Sequence, residues 1–295
     1  MFFLKKIYRK FTNWRWEIGF VDNSFAGLVD EEPLKVHWVE LPFRDRWFAD
    51  PYILDYNEEE IIVLGEEYSD ELLRGRIAKL VVDRKTYKLK SWKIILDLPT
   101  HLSFPRVVRK NGEIFIHPEN SQSGCHTLYR YDSKKDTLVD GKVIADSPLT
   151  DSVMLNYKGH DLLFSTFIPD SNGNTLSIYE RKGDDLKYNK VDEVTFDSRI
   201  ARMAGDFFEV KGKLYRPAQD CNKEYGNAVI IQEASCDEND KWHFKSVRRM
   251  TSPHPILKRG FHTLNHYNNL IVIDVKGYRY PWIGKMLETI RFFFN

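Results

Sequence analysis

Several residues able to do acid–base or ionic chemistry stand at the ends of short apolar runs in this chain. Asp50 lies between Ala49 and Pro51 at the head of Pro51-Tyr52-Ile53-Leu54, and Asp151 opens Asp151-Ser152-Val153-Met154-Leu155. Glu67 closes the run ending Gly65-Glu66-Glu67, and Glu119 closes His117-Pro118-Glu119-Asn120. Gln219 and Asp220 follow Arg216-Pro217-Ala218, while Arg106, Arg202 and His262 stand near the starts of other runs. Two carboxyl groups of unlike ionisation flanking a sugar bond cleave glycosides, and their separation sets retention or inversion. Arginines beside them keep acids ionised, or clamp a phosphate or a carboxylated sugar. A strand-end carboxylate is more often a turn cap or an ion-pair partner. The chemistry therefore depends on whether the fold makes these residues converge.

The positioning elements are strands. Period-2 alternation broken by turn residues runs through most of the chain, as in antiparallel sheets. Pro51–Leu54, Ile61–Leu64, Ile77–Val82 and Trp92–Leu96 form a four-strand unit, which recurs from Phe104, Asp151, Ala204 and Gly260. With Asp50, Pro105, Asp151, Gly205 and His262 as equivalent anchors, the spacings are 55, 46, 54 and 57 residues. Four strands per period of that length predict an all-β, five-bladed propeller with four-stranded antiparallel blades. The fifth unit has only two clear strands, so the spare run Leu34–Leu41 is expected to join the blade of His262 and leave no free sheet edge. The first strand of each blade lines the central channel, which would bring the anchors to one polar pocket.

Composition narrows the classes. With 44 basic against 43 acidic side chains the net charge is +1, and no basic stripe suited to nucleic acid appears beyond the first sixteen residues. Cys125, Cys221 and Cys236 are odd in number and lack paired spacing. Neither a disulfide framework nor a zinc site is expected, and a reducing, cytoplasmic setting fits best. The histidines lack metal-ligand spacing, so no metal or cofactor is expected. The 14% aromatic content suits strand cores and sugar-stacking surfaces alike.

The ends read differently from the middle. Residues 1–16 hold Lys5, Lys6, Arg9, Lys10 and Arg15, no acid, and Phe3, Leu4, Ile7, Phe11 and Trp14 at helical spacing. Residues 282–295 are again apolar and basic. Both patterns suit short helices, packed on their own domain or lying on a membrane surface at its inner face. The expected layout is a basic amphipathic segment at 1–33, the propeller at 34–280 and a second amphipathic segment at 281–295.

Phe48-Ala49-Asp50-Pro51, Ser103-Phe104-Pro105 with Pro118-Glu119, Arg202-Met203-Ala204-Gly205, Arg216-Pro217-Ala218-Gln219-Asp220-Cys221 and Gly260-Phe261-His262-Thr263 carry a resemblance. Over about residues 45 to 265 the chain resembles the five-bladed N-terminal domain of plant glucosamine inositolphosphorylceramide transferases. Those domains resemble in turn the five-bladed glycosidases of the arabinanase/xylosidase and invertase/levansucrase type. The resemblance implies that Asp50 is base or nucleophile and that Asp151 tunes the acid. Blade four has Gln219-Asp220 where the glycosidases carry the acidic Glu, so the acid falls to Glu119, to Asp220 or to nothing. Glu67, Arg106, Arg202, Arg216, Gln219, Asp220 and His262 are the expected substrate contacts. Two readings stay open: a glycoside hydrolase or transglycosylase acting on an anionic glycan, sugar phosphate or glycolipid, and a non-catalytic glycan-binding module assisting a partner glycosyltransferase or formyltransferase.

Overall fold

The computed structural model describes residues 14–183, 185–284, 286 and 289. Strands β1 (Trp14–Val21) and β2 (Val36–Trp38) flank a short helix α1 (Phe25–Val29), whose first turn is capped by Ser24 Oγ accepting from Gly27 N–H at 3.1 Å. Blade one is β3–β6 (Arg46–Tyr56, Glu60–Ser69, Gly75–Asp83, Leu89–Leu96) and blade two is β7–β10 (Ser103–Lys110, Glu113–Glu119, His126–Asp132, Thr137–Ala145). Blade three is β11–β14 (Leu149–Tyr157, His160–Phe167, Thr175–Arg181, Asn189–Thr195). Blade four is β15–β18 (Phe208–Val210, Lys213–Asp220, Ala228–Cys236, Trp242–Met250). β19 (Gly260–Tyr267) and β20 (Leu270–Tyr278) open blade five, whose order is β19-β20-β1-β2. The chain is thus a five-bladed propeller with four antiparallel strands in each blade. Among the described residues no helix is long and apolar enough to cross a membrane.

Turn chemistry explains the tight inner hairpins. Asn111-Gly112, Lys158-Gly159 and Lys211-Gly212 each join two strands through a two-residue loop with positive φ at both positions (53/79°, 50/88° and 52/75°). Turns of this hand match the twist of the flanking strands. They lie at the end of the propeller opposite the anchors. Apolar side chains fill the gaps between blades: Phe104, Val153, Phe164 and Met203 belong to one cluster, Ile18, Phe48 and Leu80 to another joining blades five and one.

Closure differs from expectation in one respect. The run around Val36–Trp38 does join the blade of His262, but as its outermost strand, and the third strand is β1, paired along its whole length with β20 from Trp14↔Tyr278 to Val21↔Ile271. The propeller therefore includes Trp14–Val21, inside the segment expected to be an amphipathic helix. Trp16, Ile18 and Phe20 are buried at every second position, and that alternation outweighs the helical spacing that ends at Trp14. The rest of the expected N-terminal helix, and most of the C-terminal one, lies outside the described residues; residues 281–284 are helical.

Blade four begins with an interrupted strand. Before β15 only a Met203↔Ala218 bridge connects it to β16, because the chain at Gly205 swings against blade five. Leu264 N–H donates to Ala204 O at 2.8 Å, and Asp206 N–H donates to Asn265 Oδ1 at 3.2 Å. A Cβ at Gly205, where φ is 158°, would stand 1.9 Å from Leu264 O. Replacing Gly205 by alanine is expected to lower the unfolding free energy by about 2 kcal/mol or more, read from urea midpoints. A wild-type midpoint would mean that blades four and five separate at no cost.

Candidate functional site

The first strands of four blades break register where the anchors lie. The breaks fall between Ala49 and Tyr52, Ser103 and Arg106, Thr150 and Val153, and Phe261 and Thr263. Bulges of this kind re-aim a side chain, here toward the channel. Asp50, Phe104 and Asp151 take left-handed φ values of 51°, 43° and 46°, a conformation Asp tolerates better than most residues and Phe poorly. The blade-two equivalent of Asp50 is thus Phe104, not Pro105.

At three of these breaks the bulged amide is satisfied by a carboxylate from the preceding blade, and in blade five Thr263 N–H donates to Asp274 Oδ1 of its own blade. Asp50 N–H donates to Asp274 Oδ2 (2.8 Å), Phe104 N–H to Asp50 Oδ2 (3.1 Å) and Asp151 N–H to Glu119 Oε2 (3.1 Å). A buried amide without a partner costs about 1–3 kcal/mol. These acids therefore stitch the blades together, whatever else they do.

Two cations sit among the acids. Arg202 places Nε 2.6 Å from Asp151 Oδ2 and Nη2 3.1 Å from Glu119 Oε2, with its plane 5.0 Å over the Tyr225 ring. Gln219 Nε2 donates to the same Asp151 oxygen at 2.6 Å. His262 lies between two carboxylates, Nδ1 2.7 Å from Asp274 Oδ1 and Nε2 3.0 Å from Asp50 Oδ1. Burial disfavours its charge, but Asp274 and Asp50 outweigh burial and lift its pKa to about 9. Asp50, His262 and Asp274 offer atoms within 4.8 Å of one another, a spacing a cation could share. Both ring nitrogens already face carboxylates, so the imidazolium itself is the cation there.

Above this floor opens a cavity of about 640 Å³, reached by Glu66, Glu119, Arg202 and His262 and walled by Trp14, Trp16, Trp47, Tyr68 and Tyr225. Trp47 and Tyr68 stack in parallel at 4.7 Å, and Trp16 lies 4.0 Å from the His262 ring. Lys276 donates to Tyr225 O and approaches within 4.0 Å of the Trp14 ring, and burial pushes its pKa down to about 8. Of the three acids that line the cavity, Asp70 is paired with Arg279, and the protonated forms of Glu66 and Glu119 are favoured. Burial, with Asp151 adding to it and Arg202 opposing, pushes Glu119 up to about 8. Burial and then the charges of Asp50, Glu119, Asp274 and Asp151 push Glu66 well above the carboxylate range. Glu66 Oε1 is buried without a hydrogen bond; His101 Nε2 stands 3.4 Å away. The site thus presents two neutral carboxyls as proton donors beside fixed cations and flat aromatic faces.

The expected residues separate into groups. Glu119, Arg202 and His262 reach the cavity. Asp50 and Asp151 lie beneath it, 2% and 1% exposed, covered by His262 and Arg202, and Gln219 lies behind Asp151. Glu67 is elsewhere, between Arg46 Nη1 and Arg76 Nη2 at 2.9 Å each. Strand alternation sends Glu67 to one face of β4 and Glu66 to the other, so the neighbour of the expected residue faces the cavity. Arg216 is buried under Phe196 and Phe244 and donates to Ala201 O and Gln232 Oε1. Arg106 is bound to Asp206 Oδ1 at 2.5 Å and to Met154 O, and Asp220 to Arg249 Nε at 2.7 Å. The three arginines expected to gather on an anionic ligand therefore do not converge, and the one that arrives is already neutralised.

Five four-stranded blades around a floor of acids place the chain in the architecture of the five-bladed glycosidases. Solved structures agree on the fold: a GH43 beta-1,3-galactosidase at TM-score 0.53 and 9% identity, over 72% of this chain and 81% of that one, and a GH43 enzyme from Xanthomonas citri at 0.52 and 11%, over 78% and 87%. Residues 37–262 match the family described as glucosamine inositolphosphorylceramide transferase 1, N-terminal, and the chain belongs to that family. The glucosamine inositolphosphorylceramide transferase 1 of Arabidopsis thaliana is 29% identical over 194 residues, covering 63% of this chain and 25% of that protein. Its counterpart in Oryza sativa subsp. indica is 27% identical over 199 residues, covering 64% and 26%. The chain spans about a quarter of the length of these relatives.

Proposed function

We propose that the cavity binds a sugar and that the propeller serves glycan or glycolipid glycosylation as a module that holds the sugar for a transferase. One observation carries this reading: the aromatic wall and the carboxyls of Glu66 and Glu119 line the cavity, while Asp50 is turned inward to the Phe104 amide and His262, and Asp151 to Arg202 and Gln219. Aromatic faces take the apolar face of a sugar ring, and the carboxyls take its hydroxyls. The ligand class is an uncharged sugar rather than an anionic one, since Arg202 is spent on Asp151 and Glu119. The transferase partner is proposed from the name of the curated relatives.

Titration calorimetry against a panel of sugars tests it. Binding without release of a cleaved product is expected, with Trp47→Ala weakening affinity by about tenfold. No binding by any sugar, or binding indifferent to Trp47, would end the proposal.

A second reading is favoured by the protonation of Glu66 and Glu119. A carboxyl held neutral near pH 7 is what a glycosidic leaving group needs from a general acid, and Asp50 would then serve as base or nucleophile after movement of His262. Turnover in the same calorimetric experiment, lost in Glu119→Gln and in Asp50→Asn, would move the protein to the enzymes.

A further inference from the structure

We propose that the cavity-bearing end of the propeller docks on an anionic lipid bilayer, with the cavity mouth facing the membrane. As a way of presenting a lipid-linked sugar to the cavity this rests on the sugar-site reading above; as a property of the surface it stands without it. The strand directions put the starts of β1 and β19, the ends of β4 and β20 and the loop between β4 and β5 at one end. That end carries exposed apolar side chains in its loops and in the helical turn 281–284: Trp282 is 89% exposed, Leu73 69% and Ile256 59%, with Leu72, Ile283 and Ile168 also exposed. Interfacial residues of this kind, Trp above all, favour the headgroup layer of a bilayer.

The patch is continuous with the cavity rather than scattered. Leu73 and Asp70 line the cavity, and Asp70 is bound by Arg279 at 2.7 Å, which fixes the segment carrying Trp282 against the cavity rim. Between that segment and the loop before β19 runs a second cavity of about 540 Å³, lined by Ile256, Lys258, Tyr278, Pro281 and Trp282. Such a groove beside a mouth suits an acyl chain whose headgroup enters the mouth.

Charge selects the partner. Residues 1–13 join β1 at this end, and they hold Lys5, Lys6, Arg9 and Lys10 with no acid. The segment following β20 from the same end adds Lys285 and Arg291 against the single acid Glu288, Arg279 being paired with Asp70. Leaving Arg279 aside, six basic residues against one acid belong to these two segments of a chain whose net charge is only +1. A basic excess flanking exposed apolar groups attracts anionic headgroups, each Lys or Arg near the surface adding about 1 kcal/mol. A soluble protein partner or a second copy would not require both features at the rim of a sugar cavity.

The test is flotation of the full chain with vesicles of phosphatidylcholine alone or with phosphatidylserine added, at low and high salt. Co-flotation is expected with the anionic vesicles, falling as salt rises. Ile256→Glu with Trp282→Glu should lower the partition by about tenfold or more while leaving circular dichroism and sugar titration unchanged. Failure to float with anionic vesicles, or equal flotation of the double variant, overturns docking. So does sedimentation showing a dimer that this variant abolishes, since the patch would then face a second copy. Sugar binding measured in parallel keeps the two ideas apart: lost flotation with intact sugar binding removes only the docking.

Discussion

Replacing Arg202 by methionine is expected to lower the unfolding free energy by about 3–5 kcal/mol, the cost of leaving buried charge without its partner. Arg202 is the cation shared by Asp151 and Glu119, and both carboxyls are almost wholly buried. In the variant Asp151 keeps Gln219, while Glu119 keeps Ser121 Oγ and the Asp151 amide. The Asp151 carboxylate is then buried with nothing positive beside it. Adding Asp151→Asn should restore part of the loss, because an amide at this place carries no charge. Urea denaturation of the single and double variants decides the matter. A single variant as stable as the wild type would mean that Arg202 is not the counter-charge of this pair.

Stability is expected to fall by about 1–3 kcal/mol between pH 7 and pH 8. Glu119 is raised from 4.5 to about 8, so the folded chain keeps a proton that the unfolded chain has lost. His262 is raised from 6.5 to about 9, and its contribution is present below 6.5 and lost as pH climbs through 9. Both therefore remove stability as pH rises. The window is chosen because His126, lowered to about 4, acts oppositely mainly below 6.5, and Lys276, lowered to about 8, begins to add stability within the window but does so mostly above 8. Urea midpoints at the two pH values, repeated in Glu119→Gln, should show a steep decline that the variant makes shallower. Stability that is level or rising across this interval would contradict protonated Glu119 and charged His262 together.

The blades were legible because each carries its own alternation and turn residues, and a four-strand period leaves few other ways to bury the apolar faces. Trp14–Val21 was obscured because its first aromatic also completes a helical spacing with Phe11 and Ile7; only the buried set Trp16, Ile18 and Phe20 marks the strand. In the site, His262 and Arg202 follow from their place at blade starts. Glu66 was hidden by a tie: two glutamates in succession point to opposite faces, and the register that sets Glu66 opposite Ala49 and Glu67 opposite Phe48 is not written in the run itself. Asp274 carries a signal that was available, a carboxylate ending an apolar run like those of the other blades. Arg216 shows the opposite failure: a charged side chain in a polar motif reads as a ligand, yet Phe196 and Phe244 enclose it and burial brings its pKa down to about 9.

The order of strands in blade five also fixes when the cavity comes into being. Trp14 and Trp16, from the first strand made, meet His262, Asp274 and Lys276, from the last two, only through the β1–β20 pairing. A ribosome will have produced four blades before the first strand has its partner, and contacts so far apart in sequence form late and slowly. A fragment cut at residues 37 and 262 would keep most of the repeats but lose two tryptophans, the carboxylate beside His262 and the seam of the ring. The cavity thus exists only once the chain has been made through β20, and a chain stopped short of it leaves an open-edged ring.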